Sequence, residues 1–500
     1  METTTLFKDA TKEEIALAME KSWEAFLIYK KFSLKQRADF MRAIAVALEN
    51  IRSAVVPIAM EETHLPEGRL NGELTRTIFQ LNNYAGAAEE GAWLDARIDT
   101  AVPERKPAPK SDLRKMLVPL GPVVVFGSSN FPFAYSTAGG DTACAFAAGC
   151  PVIVKAHPAH AHTSEIVADA VLKAAEKCNM PEGIFTHVHG ASFEVGKALV
   201  MHPLTKAVGF TGSLLGGRAL FDIANQRKEP IPVFAEMGSI NPVFLMQDKL
   251  QHEAESVAKM YAASITQGVG QFCTNPGLII GVEGEGLNTF ISVLSKEMKK
   301  IEPANMLHPG IAKAFWQKRK QALEQKGVHT EATSEVQPEE LQGAPTLASA
   351  SAAAFLNNPV LHQEVFGPYS LIIKCKNADE MKQVVLHIEG QLTSTLMATN
   401  EDMSSHPEIL DAIQDVCGRL IMNGVPTGVE VCLSMQHGGP YPATTDSRFT
   451  SVGADGIRRF ARPLCYQNFP DHLLPKELQN ANPLGIWRTV NDQLTKDKIK

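Results

Sequence analysis

A chain of 500 residues, 44% hydrophobic and 21% charged, can bury ample cores in two or three domains, which excludes a small extended module. The formal net charge of -7 comes without blocks of like charge, so the composition argues against a nucleic-acid or anionic-membrane surface and favours small-molecule partners. Eight cysteines without CxxC or zinc-type spacing are typical of reduced thiols. We therefore expect a cytoplasmic protein without a metal site.

The chain is predicted to begin as a helical layer. Thr11 with Glu14, and Ser33 with Gln36, form the capping-box pattern, and helical periodicity follows each pair. Residues 102–118 carry three prolines and no apolar face. This segment is predicted to be an exposed arm or hairpin.

From Val118 the sequence changes to short β-rich runs, each ended by glycine or proline and followed by a helix-like stretch. This alternation is the signature of βαβ units and a parallel sheet. A second alternating region extends from Val243 to about Thr399, and we interpret its Ala- and Ser-rich segment 344–354 as a surface excursion. The last forty or so residues are predicted to form a tail on another surface.

One cysteine is distinguished by its surroundings. Cys273 lies in Gly268-Val269-Gly270-Gln271-Phe272-Cys273-Thr274-Asn275-Pro276-Gly277, where glycines keep bulk away from the thiol and leave backbone N–H groups free. A covalent nucleophile needs both features. On this stretch alone, a buried structural cysteine in a turn is the commoner explanation.

Three polar residues from other segments are candidates for the same site. Glu236 is set among apolar and small residues at a strand end, where burial would raise its pKa towards that of a general base. A carboxylate that caps a turn is the alternative. Asn130 follows another strand and offers an amide donor to a developing oxyanion. His437 lies in a Gly/Pro loop, where a satisfied structural histidine is the commoner case.

An anion site is predicted where Phe210-Thr211-Gly212-Ser213 follows a strand and opens a helix, because helix N–H groups point outward there. An ordinary helix cap by Ser213 is the alternative. Lys155 ends a buried-type strand at the edge where open sheets bind ligands, so it could hold a ribose or a phosphate. Three histidines follow it in a proline-interrupted loop without thiolate or carboxylate, and we predict no metal there.

Taken together, these segments closely resemble the aldehyde dehydrogenase superfamily, in the same order and over nearly the whole chain. The matching segments are Asn130, Lys155, Phe210 to Ser213, Glu236 with Met237 and Gly238, Cys273, and Glu364-Val365-Phe366-Gly367-Pro368. The resemblance implies an α/β fold of two parallel, Rossmann-type domains plus a small bridging hairpin and tail. The expected bounds are 1–101 and 119–238 for the dinucleotide-binding domain, 239–435 for the catalytic domain, and 102–118 and 465–500 for the bridging, oligomerisation segments of a homodimer or homotetramer.

The resemblance also implies a mechanism. Cys273 attacks an aldehyde, the Asn130 amide holds the resulting oxygen, hydride passes to the nicotinamide, and Glu236 activates the water that releases the acid. The cofactor-binding residues that it implies are Lys155 at the adenosine ribose, Phe210, Gly212 and Ser213 at the anion site, Glu364 at the nicotinamide ribose, and Phe366 beside the nicotinamide.

One departure from the family pattern bears on the cofactor. NAD-linked members commonly carry a glutamate at the position of Pro158, where it binds the ribose hydroxyls. Without that carboxylate the repulsion against a 2′-phosphate is gone, and Lys155 with His157 could accept one. We therefore predict NADP as the cofactor, with NAD as the alternative.

The chain also resembles one subgroup, which holds 2,5-dioxovalerate (α-ketoglutaric semialdehyde) dehydrogenases and an NADP-linked long-chain fatty aldehyde dehydrogenase. The matching segments are 155–160, 436–444, 448–453 and 465–470. In this subgroup a histidine matching His437 lies near the nucleophile, where it could assist thiolate formation or water activation. We predict oxidation of 2,5-dioxovalerate to 2-oxoglutarate, with Arg448 or Arg458 as the cation for its carboxylate. A medium- or long-chain fatty aldehyde is the alternative substrate, and a cysteine esterase or hydrolase using Cys273 and His437 is the alternative of another class.

Overall fold

The computed structural model describes residues 7 to 499, which form three large β-sheets with helices packed around them. The first sheet has five parallel strands in the spatial order 3-2-1-4-5, which is the strand order of a doubly wound dinucleotide-binding sheet. Its strands in chain order are Val123–Phe126, Val152–Lys155, Phe185–Val188, Ala207–Thr211 and Val233–Glu236. The predicted βαβ units are thus present in this half of the chain.

The second sheet has seven strands, parallel to one another except for one antiparallel edge strand. In spatial order they are His329–Thr333, Thr346–Ser351, Tyr369–Cys375, Leu278–Val282, Val243–Leu245, Gln391–Met397 and Cys417–Met422. The expectation of a surface excursion at 344–354 is wrong, because Thr346–Ser351 is paired on both sides and Ala348 is fully buried. Small side chains here serve close packing rather than a loop.

A third sheet, the arm sheet, joins segments from both ends of the chain. Its strands in spatial order are Ala461–Gln467, Leu113–Pro119, Arg97–Asp99, Arg488–Val490 and Gln493–Thr495. Before Leu113 the chain turns through an exposed stretch in which Val102 pairs with Lys110. The arm sheet is separate from the two parallel sheets. The C-terminal segment supplies three of its strands, Ala461–Gln467, Arg488–Val490 and Gln493–Thr495.

Helices cover the sheets and supply much of the core. Both predicted capping boxes are confirmed, at Thr11 with Glu14 and at Ser33 with Gln36. The N-terminal layer consists of Lys12–Tyr29, Leu34–Asn50, Arg52–Thr63 and Glu67–Glu90, and the helices around the first sheet are Gly140–Ala148, Ala161–Lys177, Phe193–Met201 and Leu214–Asn225. The helices around the second sheet are Gln247–Thr266, Glu285–Lys300, Pro309–Leu323, Ala352–Leu356, Ala378–Leu386, Asn400–Ser405 and Pro407–Gln414.

Within residues 7–499, no single helix combines the length and the apolar character that a membrane crossing requires. One bent pair, Leu34–Asn50 with Arg52–Thr63, meets the criterion jointly by length and composition.

Candidate active site

The predicted site residues gather at the carboxyl edge of the first sheet. Lys155, Phe210 and Glu236 lie at or next to the last residues of three of its parallel strands, and Asn130 follows a fourth strand, Val123–Phe126. Parallel strands place their carboxyl ends at one edge, so side chains far apart in sequence meet there. The second sheet brings the cysteine to the same place.

The loop that carries Cys273 follows the helix Gln247–Thr266 and has an unusual backbone. Gly268 and Gly270 have φ angles of 55° and 64°, in the left-handed region that glycine tolerates. A Cβ at Gly270 would also collide with the carbonyl group of Gly367. The loop is therefore packed directly against the segment that contains Glu364 and Phe366.

Glu236, Cys273 and His437 form one cluster. His437 Nε2 lies 3.0 Å from Glu236 Oε1 and 3.6 Å from Cys273 Sγ. Both Glu236 and the His437 side chain are buried, whereas the thiol keeps partial exposure. The buried His437 Nδ1 has no partner among the described residues, so a neutral ring with the proton on Nε2 leaves the fewest unsatisfied donors. The cluster thus holds an acid–base group beside a thiol that a substrate can reach.

The cluster places its negative charge on the carboxylate. Burial raises the pKa of the Cys273 thiol well above its usual value, and the Glu236 charge raises it further. Burial alone would raise the pKa of Glu236 as well, but His437, Ser451 and Cys273 outweigh it and the pKa lies below the usual value. The expectation of a raised pKa for Glu236 is therefore wrong, because its hydrogen-bond donors stabilise the ionised form.

Ser451 and Thr450 support this cluster, and sequence reasoning missed both. Ser451 Oγ donates to Glu236 Oε2 at 2.5 Å, and its backbone N–H donates to the His437 carbonyl. Thr450 Oγ1 accepts from the His437 backbone N–H. Glu236 also pairs with Thr444 through an isolated β-bridge. The loop 437–451 thus fixes base and histidine together. Thr450 and Ser451 lie in the segment 448–453 that resembles the subgroup, but the resemblance gave neither residue a role.

Asn130 lies next to the thiol loop, as the resemblance implied. One Nδ2 hydrogen of Asn130 donates to the carbonyl of Gln271 at 3.2 Å, two residues before Cys273. An amide nitrogen carries two hydrogens, so one donor is left for a substrate oxygen.

Lys155 and His157 lie at the end of the next strand of the first sheet. Burial lowers the pKa of Lys155, an effect opposed by the carboxylate of Asp9, and Lys155 forms no ion pair within residues 7–499. Burial also lowers the pKa of His157 well below its usual value, with nearby His160 and His308 adding to it. His157 therefore offers a neutral hydrogen-bond donor, and Lys155 is the cation at this edge.

The predicted anion site, Phe210 to Ser213, lies at the N-terminus of the helix Leu214–Asn225. Ser213 caps the helix Leu214–Asn225 by accepting from the Gly216 N–H at 3.2 Å, so the N-cap alternative also describes it correctly. A Cβ at Gly212 would lie 2.7 Å from the Phe210 ring, which explains the glycine. The turn stands in solvent, and its free N–H groups suit a phosphate.

Glu364 and Phe366 line a narrow cavity together with Ser239 and Phe272, the neighbour of Cys273. Burial raises the pKa of Glu364 to about 7, although Lys318 opposes the shift. With a pKa near 7, the half-buried Glu364 carboxylate would be stabilised in its ionised form by accepting hydrogen bonds from hydroxyl groups. A ribose would supply such hydroxyl groups.

Arg448 and Arg458, the cations suggested for a substrate carboxylate, are not in the pocket. The side chain of Arg448 is 79% exposed and pairs with Asp446 at 2.5 Å. Arg458 is 43% exposed and pairs with Asp455. Both arginines already have a counter-ion in solvent, so neither has the geometry of a substrate ligand.

Two groups in the described part of the chain have the spacing of metal ligands. One is Glu236, Cys273 and His437, and the other is Glu165 with His187 and His189. In the second group, His189 Nε2 lies 2.6 Å and His187 Nδ1 3.1 Å from the same Glu165 oxygen. In the first group His437 Nε2 is hydrogen-bonded to Glu236, and in the second His189 Nε2 is hydrogen-bonded to Glu165.

Comparison of the sequence with known families finds a match. The profile described as the aldehyde dehydrogenase family matches residues 1–448. The chain belongs to the aldehyde dehydrogenase family. Membership makes it an NAD(P)-dependent aldehyde dehydrogenase, which confirms the predicted enzyme class over the cysteine hydrolase.

Two curated relatives are similar over nearly the whole chain. An alpha-ketoglutaric semialdehyde dehydrogenase 2 of Azospirillum brasilense is 47% identical over 483 residues, covering 97% of this chain and 92% of that protein. An alpha-ketoglutaric semialdehyde dehydrogenase of Acinetobacter baylyi is 45% identical over 493 residues, covering 98% and 93%. The predicted subgroup resemblance is thereby confirmed.

Solved structures share the fold. A 1-pyrroline-5-carboxylate dehydrogenase from Thermus with bound NAD superposes with a TM-score of 0.76 at 20% identity, covering 92% of this chain and 86% of that one. A putative aldehyde dehydrogenase from Burkholderia cenocepacia gives 0.78 at 18% identity, covering 92% and 93%. The α/β fold with two parallel sheets is confirmed.

Proposed function

We propose that this aldehyde dehydrogenase oxidises 2,5-dioxovalerate to 2-oxoglutarate, with NADP as its preferred cofactor and NAD as the alternative. The carrying observation is the cluster in which His437 lies within 3.6 Å of both the Cys273 sulfur and a Glu236 oxygen. The substrate follows from the two relatives at 45–47% identity, whose names state that aldehyde.

In this proposal Cys273 is the nucleophile. Its sulfur attacks the aldehyde carbon, and the thiol proton passes to Glu236, the adjacent ionised carboxylate. The free Asn130 hydrogen and the Cys273 backbone N–H donate to the oxygen of the adduct. A nicotinamide cofactor held by the residues at the carboxyl edge of the first sheet would accept the two electrons of the oxidation as hydride.

Glu236 first releases the thiol proton to solvent and then acts a second time, on water. Its carboxylate, held by His437 and Ser451, takes a proton from the water that attacks the thioester carbon, and the carboxylic acid leaves. His437 keeps the carboxylate pointed at the sulfur and lowers its pKa, so the base is ionised at neutral pH. In this role His437 is a positioning residue for both steps.

The cofactor residues have the chemistry that such a ligand needs. Lys155 is a cation at the sheet edge that forms no ion pair with any residue from 7 to 499, and the Gly212–Ser213 turn would present helix N–H groups to a pyrophosphate. Glu364 would accept from the nicotinamide ribose, with Phe366 beside the ring. Pro158 leaves no carboxylate at the position that repels a 2′-phosphate, which favours NADP.

The proposal extends to the cellular compartment, the domain bounds and the oligomeric state. All eight cysteines are unpaired, which suits the reducing cytoplasm. We place the dinucleotide-binding domain at 1–101 and 119–238, the catalytic domain at 239–435, and subunit bridging in 102–118 and 465–500, with a homodimer as the smallest assembly. Leu494 and Trp487 of the arm sheet region are exposed apolar side chains that a partner subunit would cover.

The test is a steady-state comparison of kcat/KM for 2,5-dioxovalerate and a long-chain aldehyde, each with NADP+ and NAD+, followed by absorbance at 340 nm. We expect 2,5-dioxovalerate with NADP+ to give the highest value. A higher value for the long-chain aldehyde would contradict the substrate assignment, and ester cleavage without any reduced cofactor would contradict the reaction.

A further inference from the structure

Two arginines near the thiol lack a counter-ion. Arg76 and Arg419 are both half-buried, and within residues 7–499 no carboxylate lies within 4.0 Å of either guanidinium group. Each also has a buried Nε without a hydrogen-bond partner. A cation withdrawn from water is costly unless it is paired, and both arginines lie within electrostatic range of Cys273. Two such arginines near one thiol indicate an anionic ligand.

Arg76 reaches the catalytic cluster through Tyr135. Its Nη2 donates to the Tyr135 hydroxyl at 3.1 Å, and its guanidinium lies 5.3 Å from the centre of the same ring. The Tyr135 ring is 6.4 Å from the ring of His437, which contacts the Cys273 sulfur. The charge of Arg76 is close enough to the thiol to oppose the rise in the Cys273 pKa.

The nearest carboxylate on the helix of Arg76 is already saturated. Glu73 Oε2 accepts from Arg69 at 2.7 Å, and Glu73 Oε1 accepts from the backbone N–H groups of Phe133 and Ala134. Glu73 thus pairs with Arg69 and forms no hydrogen bond with Arg76 within residues 7–499. The charge of Arg76 is left for a ligand.

Arg419 approaches the thiol from the second sheet. It is paired in register with Thr393, so both side chains leave the sheet on the same face. Thr393 Oγ1 donates to Asn241 Oδ1, and Asn241 Nδ2 donates to the Cys273 carbonyl at 2.8 Å. The two Nη groups of Arg419 donate to the carbonyls of Gly428 and Pro426, which hold the side chain without neutralising it.

We propose that Arg76 and Arg419 bind the carboxylate of an aldehyde substrate beside Cys273 and select acid-bearing aldehydes over uncharged ones. This inference deepens the proposed function and rests on its assignment of the thiol as nucleophile. A guanidinium group suits the task because its fork of N–H donors matches a carboxylate. The chemical class is a short chain with an aldehyde at one end and a carboxylate, or 2-oxo carboxylate, at the other.

The experiment compares three five-carbon aldehydes: 2,5-dioxovalerate, 5-oxopentanoate and uncharged pentanal. In Arg76→Met and Arg419→Met we expect kcat/KM for the two acids to fall about 10- to 100-fold more than kcat/KM for pentanal, which reports any effect on the thiol itself. Arg76→Lys should recover part of the loss because it keeps the charge. Arg97→Gln, in the arm sheet and paired with Asp95, is the matched control.

Three results would overturn the proposal. An equal fall for the acids and for pentanal would mean that the arginines are structural, and no fall would mean that they do not contact substrate. A selective fall in Arg448→Gln instead would place the carboxylate elsewhere. As a check that needs no variant to fold, 2-oxoglutarate should inhibit pentanal oxidation by the intact enzyme competitively, and an absence of inhibition would also count against the proposal.

The outcomes separate this inference from the proposed function. If the intact enzyme prefers 5-oxopentanoate to 2,5-dioxovalerate, and both depend on the arginines, the carboxylate site stands and the substrate assignment falls. If the enzyme prefers pentanal to both acids, the carboxylate site falls.

Discussion

Glu236 accepts hydrogen bonds from His437 and Ser451 in a buried cluster, whereas Ser213 and the neighbouring Leu215, 85% exposed, stand in solvent at the cofactor edge of the same sheet. Phe193, at the start of the preceding helix Phe193–Met201, is 92% exposed. In the proposed function, the groups that carry out bond changes are therefore held in place by protein partners, whereas the N–H groups of the turn at Ser213 remain available to a cofactor. At the same sheet edge, the Glu236 cluster is hydrogen-bonded and buried, whereas the turn at Ser213 is exposed and open to a ligand.

The largest effect is expected in the Glu236 cluster. Glu236→Gln removes the base of both steps, so steady-state kcat should fall about 10²- to 10⁴-fold. The first turnover should become slower, because the thiol proton must then pass to solvent, but it should still produce one equivalent of reduced cofactor per enzyme. The measurement is rapid-mixing absorbance at 340 nm. Glu229→Gln, an exposed carboxylate, is the control, and steady-state turnover equal to the parent would exclude Glu236 as the base.

The same variant should change the thiol. The Glu236 charge contributes to the raised pKa of Cys273, so removing it lowers that pKa. The rate of alkylation of Cys273 by iodoacetamide should then rise at lower pH than in the parent enzyme. A superimposable alkylation profile would show that the carboxylate does not act on the thiol.

A smaller effect is expected for His437→Asn. His437 lowers the pKa of Glu236, so its loss should raise that pKa, move the acidic limb of the pH–rate profile to higher pH, and lower kcat about 10-fold. The profile from pH 5 to 9 measures both changes. Unchanged turnover with an unchanged profile would remove His437 from the mechanism.

Among the residues proposed to bind the cofactor the effects are smaller again. The pKa of Glu364 is about 7, and its ionised form is the better acceptor for ribose hydroxyls, so KM for the cofactor should fall as pH rises through 7. Glu364→Gln should abolish this pH dependence and raise KM about 10-fold. A parent KM that is flat between pH 6 and 8 would contradict this role.

The smallest change tests the cofactor choice. Pro158→Glu places a carboxylate near Lys155, so kcat/KM with NADP+ should fall about 10-fold relative to NAD+. The exposed position allows the larger side chain. If the NADP+ to NAD+ ratio stays constant, the proline is not what admits the 2′-phosphate.

The sequence predicted the first sheet well and the second sheet less well. Valine-rich runs such as Val123–Phe126 have strong β propensity and clear glycine ends, so their alternation with helices is local information. Thr346–Ser351 is a strand because two neighbours pair with it, which no local propensity reports. The Ala- and Ser-rich composition therefore led to the wrong expectation.

Some residues of the candidate site were predictable from the sequence and others were not. Cys273, Glu236 and Asn130 were found because motif context identifies them, and the structure brings all three to one place. Arg76 and Arg419 were missed because an arginine in a helix or an edge strand carries no signal of its own. Their significance lies in the counter-ions that they lack, which only the fold reveals.

Asn241 ties the two sheets together at the site. It has a φ of 47°, and its amide donates to the carbonyls of Cys273 and Asn275 while its oxygen accepts from Ser239 and Thr393. One side chain therefore spans the strand that leaves the base and the loop that holds the nucleophile. The thiol loop therefore cannot move away from the segment that follows Glu236 without breaking the hydrogen bonds of this amide.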